Sequence, residues 1–236
     1  MNLNDTSETL TEINLLSKNR QAFYQFLSRI FEKEVDNELL AAIRDKKNFL
    51  SQPIEGLDKN MTRGLELVNG YLDSSSKKSS DEICLELAVE YAGLFLGVWG
   101  KPPHPSESIY GSVGGLVMQK ERDEVLILYN SAGLVLSKNF REPEDHVAIE
   151  LQFMSYLAGE TAVAANAHDQ KKVKDLIEMQ ELFLKKHLGK WLGFMTHDVM
   201  ETGHVDFYKG ICLLTQGFVD EDLKTLKDLP EFTQLF

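Results

Sequence analysis

The sequence predicts an all-α protein, a single helical domain of about nine or ten helices, and three observations predict it. Apolar residues recur at helical spacing through nearly the whole chain. No stretch of useful length alternates apolar with polar residues as a half-buried strand does. Clusters of proline, glycine and serine fall between the periodic segments rather than inside them. At 236 residues, 43% of them hydrophobic, the chain is long enough to bury a sizeable core.

Taken in order, Ile13, Leu16, Phe23, Phe26, Leu27, Ile30 and Phe31 draw an apolar face along a first long helix. Asp36 is placed to cap a second, which carries Leu39, Leu40 and Ile43. A third is expected from about Gly56 to Leu72, with Met61, Leu65, Val68 and Leu72 on one side. The serine and lysine stretch 74–80 is a polar linker, and it ends in Ser79-x-x-Glu82, the spacing of a capping box. The fourth helix, about Asp81 to Leu96, is apolar on most sides, which places it at the centre of a bundle, and it stops at Gly97. Pro102, Pro103 and Pro105 then forbid a helix. Further helices are expected over about 115–130, from Pro143 to about Ala167, and over 169–187, 191–200 and 205–219, before a polar and aromatic tail. Loops 98–112 and 137–143 are the two irregular joints.

A net charge of −12 opposes nonspecific binding to nucleic acid, which needs Lys and Arg to displace counterions. It suits basic ligands, as well as solubility. Cys84 and Cys212 are far apart among apolar neighbours and read as free thiols of a reducing compartment. Residues 1–12 carry neither a basic nor an apolar segment of a secretory signal, and no run reaches the ~18 apolar residues of a membrane span. The expectation is a cytoplasmic protein.

The densest chemistry lies at Glu142-Pro143-Glu144-Asp145-His146, followed by Glu150 and Leu151-Gln152-Phe153-Met154. Pro143 suits a first helical position, Asp145 the positive end of the helix dipole, and His146 and Glu150 share a face at i, i+4. Carboxylates beside an imidazole at a helix start suit a cation, while a hydrogen-bonded structural histidine is the competing reading. Other chemistries find less support. Glu201-x-x-His204 matches a di-iron half-motif once, with Gly203 at the helix end and no second copy. Gly111-Ser112-Val113-Gly114-Gly115 lacks the ending of a phosphate-binding loop. Ser108 and His104 are neighbours with nothing to orient them as nucleophile and base. Tyr91, Leu94 and Phe95 share one helix face and read as core, although Tyr91 and Trp99 carry polar tips suited to a groove edge.

Three landmarks stand in order along the chain: Glu90-Tyr91-x-x-Leu94-Phe95, then Pro103-His104-Pro105-x-x-Ser108-x-Tyr110, then Pro143-x-Asp145-His146-x-x-x-Glu150-Leu151-x-Phe153-Met154. Together with His187-Leu188-x-x-Trp191 and Phe207-Tyr208, this pattern resembles the TorD/DmsD/NarJ family of cytoplasmic chaperones for molybdenum oxidoreductases. The resemblance implies an all-α fold with halves at about 1–136 and 144–236 joined by a hinge at about 137–143, as a monomer or as a homodimer that exchanges those halves. With no metal, phosphate-loop or nucleophile motif supported above, the expectation is a non-catalytic protein with no resident cofactor or metal; direct handling of a nucleotide or of the molybdenum cofactor is left open by the sequence. The implied partner is an apo-molybdenum oxidoreductase subunit, held through its twin-arginine signal peptide until its cofactor is loaded and before export. Asp145 and His146 match positions associated with peptide binding, with Tyr91, Leu94, Phe95, Trp99, Pro103, Pro105, Ser108, Tyr110 and Glu150 in the same region. A twin-arginine leader offers two guanidinium groups and an apolar stretch, so Asp145 and Glu150 are expected to supply charge, His146 to orient a carboxylate or read backbone, and Tyr91, Leu94 and Trp99 to line the apolar wall. The alternatives are a chaperone for a leaderless subunit, a small helical metalloprotein or enzyme using His146, Glu150, Glu201 and His204, and an adaptor using helix 81–96.

Overall fold

Helix ends fall mostly where the sequence supplies caps. The computed structural model describes residues 3–45, 57–99, 103–111, 115–135 and 142–233. Helix α1 spans Leu3–Glu32, and α2, Asn37–Arg44, starts on Asp36, whose carboxylate accepts the Leu39 N–H. Asp58 caps α3, Lys59–Ser74, in the same way. The expected capping box opens α4, Ser80–Phe95: Ser79 and Glu82 each accept the other's backbone N–H. There follow α5, Glu107–Gly111, α6, Lys120–Ser131, α7, Val147–Asn166, α8, Gln170–Lys186, α9, Leu188–Thr202, and α10, Asp206–Thr233. Among the described residues the only β pairing is an isolated bridge between Ser106 and His146.

The four largest departures from the expected boundaries each have a local reason. Loop 98–112 contains the short α5. Helix α6 starts at Lys120 rather than near Gly115, because Gly115 and Met118 both take positive φ. Helix α7 starts at Val147, four residues after Pro143, because His146 is extended and acts as its cap. Helix α10 continues past Val219 to Thr233, since Asp222, Leu226 and Leu229 are buried on its inner side. Of the expected hinge, 137–141 lies outside the described residues.

Two antiparallel helix pairs make the frame. Helix α1 lies along α7, with Asn14 Nδ2 donating to Ala162 O (2.6 Å), Ser155 Oγ to Gln21 O (3.0 Å) and Ser28 Oγ to Ala148 O (2.8 Å). Apolar all round, α7 is buried on nearly every side. Helix α3 lies along α10 at a glycine crossing, where a Cβ on Gly210 would sit 2.6 Å from Gly64 O and 2.9 Å from Val68 N. Those contacts are backbone and cannot swing away. Gly210→Ala is therefore expected to force the helices apart and cost about 1–3 kcal/mol, read as a lower midpoint in urea unfolding. An unchanged midpoint would show that the pair separates freely. Both pairs join a helix from the first half of the chain to one from the second.

The fourth helix is not central. Ile83, Leu87, Tyr91, Leu94 and Phe95 face the core, but its outer side is open. All-round apolarity misplaced it, because a helix can be apolar on a face that nothing in its own chain covers.

Candidate functional site

Proline makes segment 103–106 extended, and an extended segment must find partners for its backbone. It finds them at the start of α7: the Val147 N–H donates to Pro105 O (2.8 Å) and the Glu107 N–H to Asp145 O (3.0 Å). The two segments thus meet as a short antiparallel pair around Ser106 and His146. Asp145 precedes α7 rather than sitting in its first turn, and its carboxylate serves α5. The Ser108 N–H donates to Asp145 Oδ2 (2.8 Å), and Ser108 Oγ–H donates to the same oxygen. The Gln119 N–H in turn donates to Ser108 Oγ (3.2 Å), which ties in the approach to α6.

His146 caps α7 by accepting the Ala148 N–H at Nδ1 (3.1 Å), which requires that nitrogen to be unprotonated. Burial, then the neighbouring His104, press its pKa from 6.5 to about 3. Burial also pushes the Glu150 carboxyl far up from 4.5, Glu107 adding to the effect, while the Trp191 Nε1–H that donates to Glu150 Oε2 (3.0 Å) pulls the other way. Glu107 Oε2 lies 3.0 Å from His187 Nδ1 at the joint between α8 and α9. Tyr110 accepts the His104 N–H (3.2 Å), donates to Asp198 Oδ2 (3.1 Å) and stacks on Trp191 and Phe194. Arg122 grips Glu144 with two bonds, Nε to Oε2 (2.5 Å) and Nη2 to Oε1 (2.8 Å), and Tyr129 Oη donates to Glu144 O (3.0 Å).

The structure therefore gathers Pro103, Pro105, Ser108, Tyr110, Asp145, His146 and Glu150 at one joint, where α5, α6, α7 and α9 converge. In this conformation Asp145 and Glu150 are fully buried, and neither carboxylate is open to a guanidinium. His146 does read backbone, that of its own chain. Tyr91, Leu94 and Phe95 pack elsewhere, on α1 and α10: Tyr91 Oη donates to Phe31 O (2.9 Å), and its ring meets Phe95 and Tyr208. Trp99 stands at the end of α4, partly exposed, lying over Gly93 and edge-on to His204 (4.4 Å). Beneath it the buried Glu90 accepts the His204 and Val205 N–H groups (2.5 and 2.9 Å) at the start of α10.

Glu107, His187, Trp191, Glu90 and Arg122 were not among the expected site residues, whereas Glu144 belonged to the acidic cluster read there. Glu107 and His187 are 80 residues apart, and no local spacing announces such a pair. Among the described residues no group of three or more His, Cys, Asp or Glu is placed to hold a metal ion, and His204 of the Glu201-x-x-His204 motif turns to Trp99.

The buried titrations make opposed predictions. An unfolded chain protonates position 146 as pH falls through 6.5, whereas the folded chain waits until about 3. This stabilisation is therefore full above pH 6.5 and is lost on acidification, at about 1.4 kcal/mol per pH unit. Glu150 has the opposite sign: its contribution is full below 4.5 and is lost as pH rises toward its elevated folded value. Between pH 4.5 and 6.5 the two slopes oppose. Glu150→Gln keeps an oxygen for Trp191 and removes the second slope. Its urea midpoint should rise more steeply with pH in that window than the wild type's. An unchanged slope would contradict the assignment.

With this geometry in view, comparison with known proteins is decisive at the family level. A family model described as nitrate reductase delta subunit matches residues 54–196, well over half of the chain. The chain belongs to that family. Within the wider similarity, it is 26% identical over 229 residues to the chaperone protein TorD of Vibrio cholerae serotype O1, covering 95% of this chain and 99% of that one. It is 25% identical to chaperone protein TorD of Photobacterium profundum, over 90% of this chain and 96% of that one, and 25% identical to that of Shewanella pealeana, over 92% and 93%. All three landmark motifs fall inside the family match. No helix among the described residues is long and apolar enough to cross a membrane.

Proposed function

We propose that this member of the nitrate reductase delta subunit family is a cytoplasmic, non-catalytic chaperone. It binds an apo-molybdenum oxidoreductase subunit through its twin-arginine signal peptide and holds it until cofactor insertion, before export. The observation that carries this reading is the end-to-end likeness to TorD chaperones, 95% of this chain against 99% of the relative. In this reading Asp145, His146 and Ser108 are positioning residues: they fix the 103–111 loop and α7 relative to each other. Glu150 on α7 and Tyr110 on α5 tie that joint to Trp191 and Asp198 of α9, and Tyr91, Leu94 and Phe95 set the inner face of α4. Trp99, partly exposed at the end of α4, is a contact residue.

The alternative reading is that the client is an oxidoreductase subunit without a leader, held through its mature part; the family match, described by a nitrate reductase subunit, is compatible with either. Mixing the protein with an apo-subunit on a sizing column, with the leader intact and deleted, separates the two. The first reading expects a complex only with the leader present. A complex in both cases supports the second, and none in either overturns both.

A further inference from the structure

Helix α4 carries the inference. A helix that is apolar all round belongs in a core, yet Leu85, Val89 and Leu96 on its outer side are 68%, 57% and 56% exposed, and Trp99 beyond its end 40%. At about 100° per residue, Leu85, Val89 and Leu96 fall within about 40° of one another, with Ala92 between them. They form a continuous stripe, unlike single exposed apolar residues, which need no explanation. The stripe ends in acid. Asp81 and Glu82 flank the line of the stripe in the turn before Leu85, about 40° to one side of that residue and about 60° to the other, and both are exposed. Each commits one oxygen within the chain: Asp81 Oδ1 accepts from Asn37 Nδ2, and Glu82 Oε2 from Ser79. Asp81 Oδ2 and Glu82 Oε1 make no hydrogen bond to the described residues, and the nearby Lys78 ammonium, whose charge also reaches Glu82, is hydrogen-bonded to Glu86 (2.6 Å). The Ser79 N–H holds Glu82 below the usual carboxylate range, so it is charged at neutral pH.

We infer that the outer face of α4 is the docking surface for the leader, its paired arginines on Asp81 and Glu82 and its apolar helix along Leu85, Val89 and Leu96 to Trp99. The inference rests on the leader reading above and moves the arginine contact away from the buried Asp145 and Glu150. The complementarity is of charge, shape and length. Two guanidinium groups followed by an apolar run meet two free carboxylate edges followed by an apolar stripe. Glu82 to Leu96 spans about 21 Å, the reach of a helical apolar segment of about fourteen residues.

The test titrates a fluorescent synthetic peptide, two consecutive arginines followed by an apolar segment of about twelve residues, into the full-length protein and follows anisotropy. The protein's own mass is measured at the same concentrations. Leu85→Ser/Val89→Ser alters only exposed side chains and should weaken binding about tenfold or more. Asp81→Asn/Glu82→Gln keeps both the Asn37 contact and the capping box, and should weaken it several-fold while removing most of the salt dependence. Leu15→Ser, an exposed leucine on α1, should change nothing. Binding that survives unchanged in both double variants overturns this inference alone. Failure of the wild type to bind the peptide overturns the leader reading and this inference with it. A wild-type dimer dissolved by Leu85→Ser/Val89→Ser, with peptide affinity unaltered, would assign the face to a second copy of the chain instead.

Discussion

Asp222→Ala should destabilise the protein by about 3–5 kcal/mol, the largest effect expected of any single substitution outside the apolar core. Asp222 sits on the inner side of α10 and accepts Arg20 Nε at Oδ1 (2.5 Å), with Arg20 Nη2 (2.8 Å) and Tyr24 Oη (2.6 Å) at Oδ2. All three residues are buried, so removing the carboxylate strands a guanidinium and a phenol away from water. The cost is that of an uncompensated charge, not of one hydrogen bond. The double variant Arg20→Met/Asp222→Leu, which replaces the pair by apolar volume, should recover most of the loss. Urea unfolding of the two variants checks this; a loss under about 1 kcal/mol for Asp222→Ala would mean that Arg20 escapes to solvent.

Asp145→Ala should cost about 2–3 kcal/mol, because it removes the buried carboxylate oxygen to which both the Ser108 N–H and the Ser108 hydroxyl donate. Its signature is local. Backbone amides of Glu107 and Ser108 should lose hydrogen-exchange protection, while those of α1 and α10 keep theirs. Asp145→Asn retains an acceptor and should give back part of the loss. Under the proposed function, in which Asp145 is a positioning residue, leader binding per folded molecule should fall less than stability does. Full stability with abolished binding would reverse that assignment.

Much of the architecture was legible because it is local. Asp36 and the Ser79–Glu82 box are caps within three residues of the groups they satisfy, and the apolar face of α1 follows from spacing alone. What was not legible depends on residues far apart in the chain. Pro143 looks like a helix start, but the carbonyl of Pro105 and the ring of His146 decide where α7 begins. Asp145, His146 and Glu150 were visible as a cluster. Burial then turned two apparent surface charges inward and neutralised the imidazole, something no spacing reports. The Glu107–His187 contact and the Glu90 cap of α10 were invisible for the same reason. Conversely, the greasiness of α4 was plain in the sequence and its meaning was not: composition shows an apolar face, and only the fold shows that nothing in the described chain covers it.

The central claim is that an acidic chaperone reads paired arginines ahead of an apolar segment. Its most direct test is a titration with a twin-arginine leader and with the same peptide carrying two lysines. Lysine keeps the charge but loses the planar fork that engages a carboxylate edge, so the account predicts affinity lower by about fivefold or more for the lysine peptide, with the difference shrinking in Asp81→Asn/Glu82→Gln. Equal affinities for the two peptides would contradict it.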